Sequence, residues 1–134
     1  MNLSLNPGLL DSMTTHAQSA YPLEACGILV GRAFNATRFI PMANVRASET
    51  AYEMDPAQLA LTFRSIREGG EDLVAIMHSH PRGPAEPSQT DLERSFYPDV
   101  AHVIVSLTDR KHPQIRGFRI IGSTVSEIEL HAIV

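Results

Sequence analysis

Leu73-Val74-Ala75-Ile76-Met77-His78-Ser79-His80-Pro81 begins as an apolar run of strand length and ends in two histidines one residue apart. In an extended backbone, residues i and i+2 project to the same face, roughly 6.6 Å apart along the strand. Imidazoles so placed can converge on one ion held about 2.0–2.1 Å from each nitrogen. Pro81 restrains His80 to the extended angles that keep the pair aligned. A third ligand must come from elsewhere, and because Cys26 is the only cysteine, a carboxylate is the obvious donor. Beyond Pro81, Pro84 and Pro87, Ser88 opens a helix whose first turn holds Asp91, and that side chain can point back at the strand end. Three protein ligands leave a fourth tetrahedral position open for water, the arrangement of a catalytic rather than a structural zinc.

Working outward, Pro7 to Ala20 carries Leu9, Leu10, Met13, Ala17 and Ala20 at the spacing of one helical face, and Tyr21-Pro22 stops that helix. Cys26 to Val30 reads as a buried strand. Arg38 to Met42 is its antiparallel partner across a turn near Asn35-Ala36. Asp55-Pro56 is a capped helix start, and the helix runs through Leu59, Phe63 and Ile66 to Gly69-Gly70. The helix opened by Ser88 is expected through Leu92 to Phe96, closed before Pro98. Val100 to Leu107, Ile115 to Ile121 and Val125 to Val134 read as strands, the last two joined at Gly122-Ser123. Helices and strands interleave, yet the late strands follow one another directly. That order predicts an α/β fold, a mixed β-sheet flanked by helices.

A chain of 134 residues predicts one domain over 1–134. With 43% apolar and 19% charged residues it is too apolar for a disordered chain. The net charge of −4, with no basic cluster, lacks the electrostatic footprint of a nucleic-acid binder. One cysteine excludes an intrachain disulfide, a cysteine zinc cage and a four-cysteine iron–sulfur site, and makes a reducing compartment the default. No apolar stretch nears the roughly 20 residues that span a bilayer, and Met1 to Pro7 offers no basic residue before its leucines, so no membrane association and a cytoplasmic location are expected. The oligomeric state is not legible, and a homodimer stays open.

The pattern His-x-His, seven residues, Ser, two residues, Asp arises by accident in roughly one sequence of this composition per thousand. Together with Glu24, just before the first apolar strand, His78-Ser79-His80-Pro81 and Ser88-Gln89-Thr90-Asp91 resemble the complete signature of the JAMM (MPN+) metalloproteases. The strand Glu24 to Arg32 and the helix start Tyr52-Glu53-Met54-Asp55-Pro56 resemble the small prokaryotic members. The resemblance covers about Leu9 to Asp109. It implies a cytidine-deaminase-like fold and a zinc peptidase or isopeptidase. The substrate implied is a ubiquitin-like or sulfur-carrier protein with a Gly-Gly tail. A deaminase itself is excluded, because its paired-cysteine zinc motif cannot be built from one cysteine.

The resemblance assigns Zn²⁺ to His78, His80 and Asp91, with its bound water acidified toward a pKa of about 7. Glu24 is then the acid/base that accepts the water's proton and hands it to the leaving amine, and Ser88 steadies the developing oxyanion. Each residue also has a plainer reading. The two histidines could simply end a strand, Glu24 could be a solvated loop carboxylate, and Asp91 could serve only the helix dipole in a Ser88-x-x-Asp91 cap. For Ser88, capping and oxyanion contact are expected to compete. Cys26 reads as a packed small hydrophobe rather than a nucleophile. His16, His102, His112 and His131 carry no ligand spacing and read as surface or packing residues. Tyr52 to Met54 is either a plain loop or an edge for an extended substrate tail. Two other functions compete with proteolysis: a catalytically silent scaffold, and a zinc hydrolase of small-molecule amides.

Overall fold

The computed structural model describes residues 2–94, 97 and 99–133. Its elements are β1 (Asn2–Leu5), α1 (Leu9–Ala20), β2 (Cys26–Arg32), β3 (Asn35–Met42), α2 (Pro56–Glu68), β4 (Asp72–His80), α3 (Gln89–Glu93), β5 (Ala101–Ser106), β6 (Gln114–Ile121) and β7 (Thr124–Ala132). Helix α1 buries Leu9, Met13 and Ala17, one residue per turn, and stops at Ala20 ahead of Tyr21-Pro22. Helix α2 starts as its sequence predicts, with the Asp55 carboxylate accepting the backbone N–H groups of Ala57 and Gln58. Strand β4 runs three residues past the apolar run, because His78 still pairs with Cys26 of β2 while Ser79 and His80 pair with Val105 and Ser106 of β5.

The strands form one sheet in the order β1-β3-β2-β4-β5-β6-β7. Pairs β1–β3 and β4–β5 are parallel and the other neighbours along that order antiparallel, so the sheet is mixed, as expected. It is not open. A parallel pairing of β1 with β7 closes it into a barrel, a closure that the expectation of a mixed sheet flanked by helices did not include. The closure depends on a strand of four residues whose signal is just Leu3 and Leu5, too little to register as a period. One correction is local. The β2–β3 turn lies at Ala33-Phe34, both with positive φ, because Asn35 already pairs with Arg32. Helix α3 runs through Leu92 as expected and ends at Glu93; Phe96 and Pro98 lie outside the described residues.

Alternation along the strands divides the apolar side chains between two faces. Leu29, Ala75, Met77, Val103 and Val105 join Leu3, Leu5 and Ile128 with the buried stripe of α1. Cys26, Ile28 and Ile76 pack on the other face with Leu59, Phe63 and Ile66 of α2. Being covered on both faces explains why β4 reads as a continuous apolar run. His78 and His80 follow Ile76 at steps of two, on the α2 side, where the strand outlasts the apolar packing.

Candidate metal centre

Nε2 of His78 and Nε2 of His80 lie 3.1 Å apart, and Oδ2 of Asp91 lies 3.0 Å from each. The ligand atoms of a tetrahedral ion at about 2.0–2.1 Å are separated by about 3.3–3.4 Å, so this triangle needs only a slight expansion to hold one. Protons serve it poorly. Two would face each other across the His78–His80 edge, and one leaves an edge with acceptors on both sides. A divalent cation satisfies all three atoms at once. Among the described residues this is the one cluster of three histidine, cysteine or acidic side chains within reach of a common ion.

The surrounding chain fixes each donor. Nδ1 of His80 lies 2.8 Å from the Pro84 carbonyl, which can only accept, so Nδ1 carries the proton and Nε2 presents its lone pair to the triangle. Asp91 is held by a reciprocal cap: its backbone N–H donates to Ser88 Oγ at 3.1 Å, and its Oδ2 accepts the Ser88 N–H at 2.9 Å. Burial alone would raise the Asp91 carboxyl, but the contacts with His78, His80 and the Ser88 N–H outweigh it and hold the group well below the usual carboxylate range. Asp91 thus meets the cluster as an anion. Capping occupies a lone pair of Ser88 Oγ and leaves its O–H proton free. The cap therefore does not draw on the proton that an oxyanion contact would need.

Glu24 is no solvated carboxylate: it is 3% exposed, and its Oε1 has no hydrogen-bond partner. Burial pushes its carboxyl up to about 8, with His80 opposing and Asp91 adding to the rise. It lines a cavity of about 480 Å³ together with His80, Arg82, Pro84 and Ser88. A second cavity of about 270 Å³ is lined by His78, Asp91, Tyr52, Met54, Leu59 and Ile76, among others. The backbone of Glu24 is clamped from the loop after β3: its N–H donates to the Ser48 carbonyl at 2.8 Å, and its carbonyl accepts Asn44 Nδ2 at 3.0 Å.

A family model described as the prokaryotic homologs of the JAB domain, Prok-JAB, matches residues 6–121. The chain belongs to the Prok-JAB family. This Prok-JAB chain is 33% identical to the CysO-cysteine peptidase of Mycobacterium tuberculosis over 98% of its own length and 91% of the relative. It is 37% identical to a desampylase of Haloferax volcanii over 78% of this chain and 80% of that one. A solved structure from Desulfitobacterium hafniense superposes with a TM-score of 0.89 at 31% identity, covering 99% of this chain and 93% of the other.

Near the Prok-JAB centre, sequence reasoning missed Ser79 and Asn44, and it read Tyr52 as part of a loop or edge and His102 as a surface or packing residue. Asn44 Nδ2 donates to the Glu24 carbonyl and Ser79 Oγ accepts the N–H of Ala25, the next residue, and a sequence carries no mark of which backbone group a side chain will meet. Tyr52 lies in the loop before α2, as one of the two readings had it, and stacks on His78, while Met54 of the same stretch pairs with Asn44. His102 is buried beside His78, which fits the packing reading, but its Nε2 finds no partner. Cys26 is buried with its thiol pushed up to about 12 by burial and by Glu24, as suits an inert packed residue.

Proposed function

We propose that the chain is a zinc-dependent peptidase or isopeptidase that hydrolyses an amide bond at the C-terminal tail of a ubiquitin-like or sulfur-carrier protein. The observation that carries this reading is the convergence of His78, His80 and Asp91 within 3.0–3.1 Å beside the buried Glu24. The relative named for cleaving CysO-cysteine supports the substrate class. The proposed substrate tail ends in Gly-Gly. Zinc suits the donor set of two imidazoles and one carboxylate. The same proposal takes in a single domain over 1–134, a cytidine-deaminase-like fold, and a cytoplasmic site of action. Among the described residues no helix is long and apolar enough to cross a membrane. The silent-scaffold reading is disfavoured, because the three ligands, the acid and the serine are all retained.

His78, His80 and Asp91 would hold the ion. A divalent cation with three protein ligands and one open position acidifies water and polarises a carbonyl. Glu24 takes the proton of the attacking water and passes it to the departing amine as the C–N bond breaks, so the water's oxygen stays on the acyl carbon. Ser88 donates its free O–H proton to the carbonyl oxygen as charge develops there, while its oxygen keeps the Asp91 N–H.

The test incubates the protein, with zinc or with chelator, against carrier-protein fusions extended beyond Gly-Gly, and reads the products by mass spectrometry. Zinc-dependent cleavage after the second glycine is the expected result. Cleavage that persists fully in chelator, or no cleavage of any fusion by zinc-loaded protein, overturns the reading.

A further inference from the structure

The two histidines of the triangle are held in different ways. His80 is oriented by the hydrogen bond from its Nδ1 to the Pro84 carbonyl. Nδ1 of His78 is buried and has no hydrogen-bond partner. Metal-binding histidines almost always tie that second nitrogen to an acceptor, which fixes both tautomer and ring orientation. On His78 the restraint comes from a ring face: Tyr52 stacks on its imidazole with centroids 4.8 Å apart and planes inclined by 27°.

Tyr52 is itself kept from swinging away. Asn44 spends both ends of its amide on the neighbours of Tyr52, donating to the Ala51 carbonyl at 3.1 Å and accepting the Glu53 N–H at 3.1 Å. The Tyr52 carbonyl accepts Nη1 of Arg94 at 3.5 Å, and Val45 N–H donates to the Glu53 carbonyl at 2.9 Å. The same Asn44 amide donates to the Glu24 carbonyl, so one side chain ties the stacking loop to the acid. Stacking resists rotation of a ring about the bond that carries it, as a hydrogen bond at Nδ1 does, without needing an acceptor.

We infer that Tyr52 is a positioning residue of the metal centre, its stacked ring doing for His78 what the Pro84 carbonyl does for His80. The inference rests on the reading of His78 as a metal ligand. Its test titrates the metal-free protein with Co²⁺, following visible absorption, and competes Zn²⁺ against a chelating dye. Tyr52→Phe keeps the stacked face and is expected to bind within about twofold of wild type. Tyr52→Leu keeps apolar bulk without the face and is expected to lose about tenfold in affinity, the scale of an outer-shell loss, with displaced Co²⁺ bands. Wild-type affinity and an unchanged spectrum in Tyr52→Leu overturn the inference. Should that variant not fold, the zinc-loaded wild-type protein decides by NMR: the His78 ring protons are expected upfield from the Tyr52 ring current, and their absence there overturns it. His78→Ala separates the two levels. If it binds Co²⁺ as wild type does, the ligand reading and the inference fall together; if it abolishes binding while Tyr52→Leu changes nothing, only the role of Tyr52 falls.

Discussion

Ser79 Oγ accepts the backbone N–H of Ala25 at 2.7 Å, and the Ser79 N–H donates to the Ala25 carbonyl at 3.0 Å. Ser79 stands between the two histidines and Ala25 follows Glu24, so this pair of hydrogen bonds sets the distance from Glu24 to the strand that carries His78 and His80. Ser79→Ala strands a buried N–H, which costs about 1–3 kcal/mol. The expected outcome is a lower denaturation midpoint and a reduced kcat with metal content unchanged, because neither histidine depends on the hydroxyl. Unfolding in urea, turnover and elemental analysis on one preparation check it. Loss of metal in step with activity would mean that Ser79 supports the ligands rather than Glu24.

Glu24→Gln preserves the shape of a residue buried at 3% exposure but cannot move a proton. Turnover is expected to fall by about 10²–10⁴-fold, the usual share of a positioned acid or base, with Zn²⁺ binding retained. A variant that cleaves at the wild-type rate would remove Glu24 from the mechanism. The change also touches stability. The metal-free carboxyl is raised to about 8 from 4.5, so the stability it lends at low pH is lost as pH climbs through that interval. The glutamine variant lacks this loss, and chelated protein at pH 8–9 should therefore unfold at a higher temperature as Glu24→Gln than as wild type.

How much of this was legible in the chain depended on how local each determinant is. The triangle of His78, His80 and Asp91 follows from a strand period of two and a capped first turn, both written in a few consecutive residues. Helices α1 and α2 were equally plain, since Leu9, Met13 and Ala17, or Asp55-Pro56, declare themselves within a turn or two. Closure of the sheet was not legible, because Asn2–Leu5 becomes a strand only by pairing with β3 and β7, far along the chain. The same holds for Asn44, whose amide gathers Glu24, Ala51 and Glu53 across a loop. The turn was misplaced by two residues since Ala33 and Phe34 take left-handed angles that neither residue type advertises.

His102 places an imidazole on β5, 5% exposed, with Nε2 lacking a partner. Burial, with help from His78, pushes its pKa down to about 4 from 6.5. Between those values the unfolded chain binds more protons than the folded one, so His102 lends stability that is present above pH 6.5 and lost as pH falls toward 4. His102→Phe removes the titrating group and the orphaned nitrogen. Its stability relative to wild type is expected to rise as pH drops from 6.5 to 4, by up to about 3 kcal/mol. Denaturant unfolding of chelated protein at several pH values measures this, and parallel curves for the two proteins would exclude it.

Ser88 separates two duties that share one oxygen. The cap uses it as an acceptor from the Asp91 N–H, and the proposed catalysis would use the proton on the same atom. Ser88→Ala removes both and is expected to cost about 1 kcal/mol of stability through the lost cap, with turnover down by about 10²-fold. Ser88→Thr keeps acceptor and donor and should preserve the helix start and most of the rate. Asn at this position is a good cap whose side-chain oxygen accepts as Ser does, while its donor is an amide rather than a hydroxyl at the same place. Ser88→Asn should therefore match wild type in thermal stability and metal content yet remain as slow as Ser88→Ala. A Ser88→Asn protein as fast as wild type would show that the serine acts through the cap alone, by holding Asp91 in the triangle.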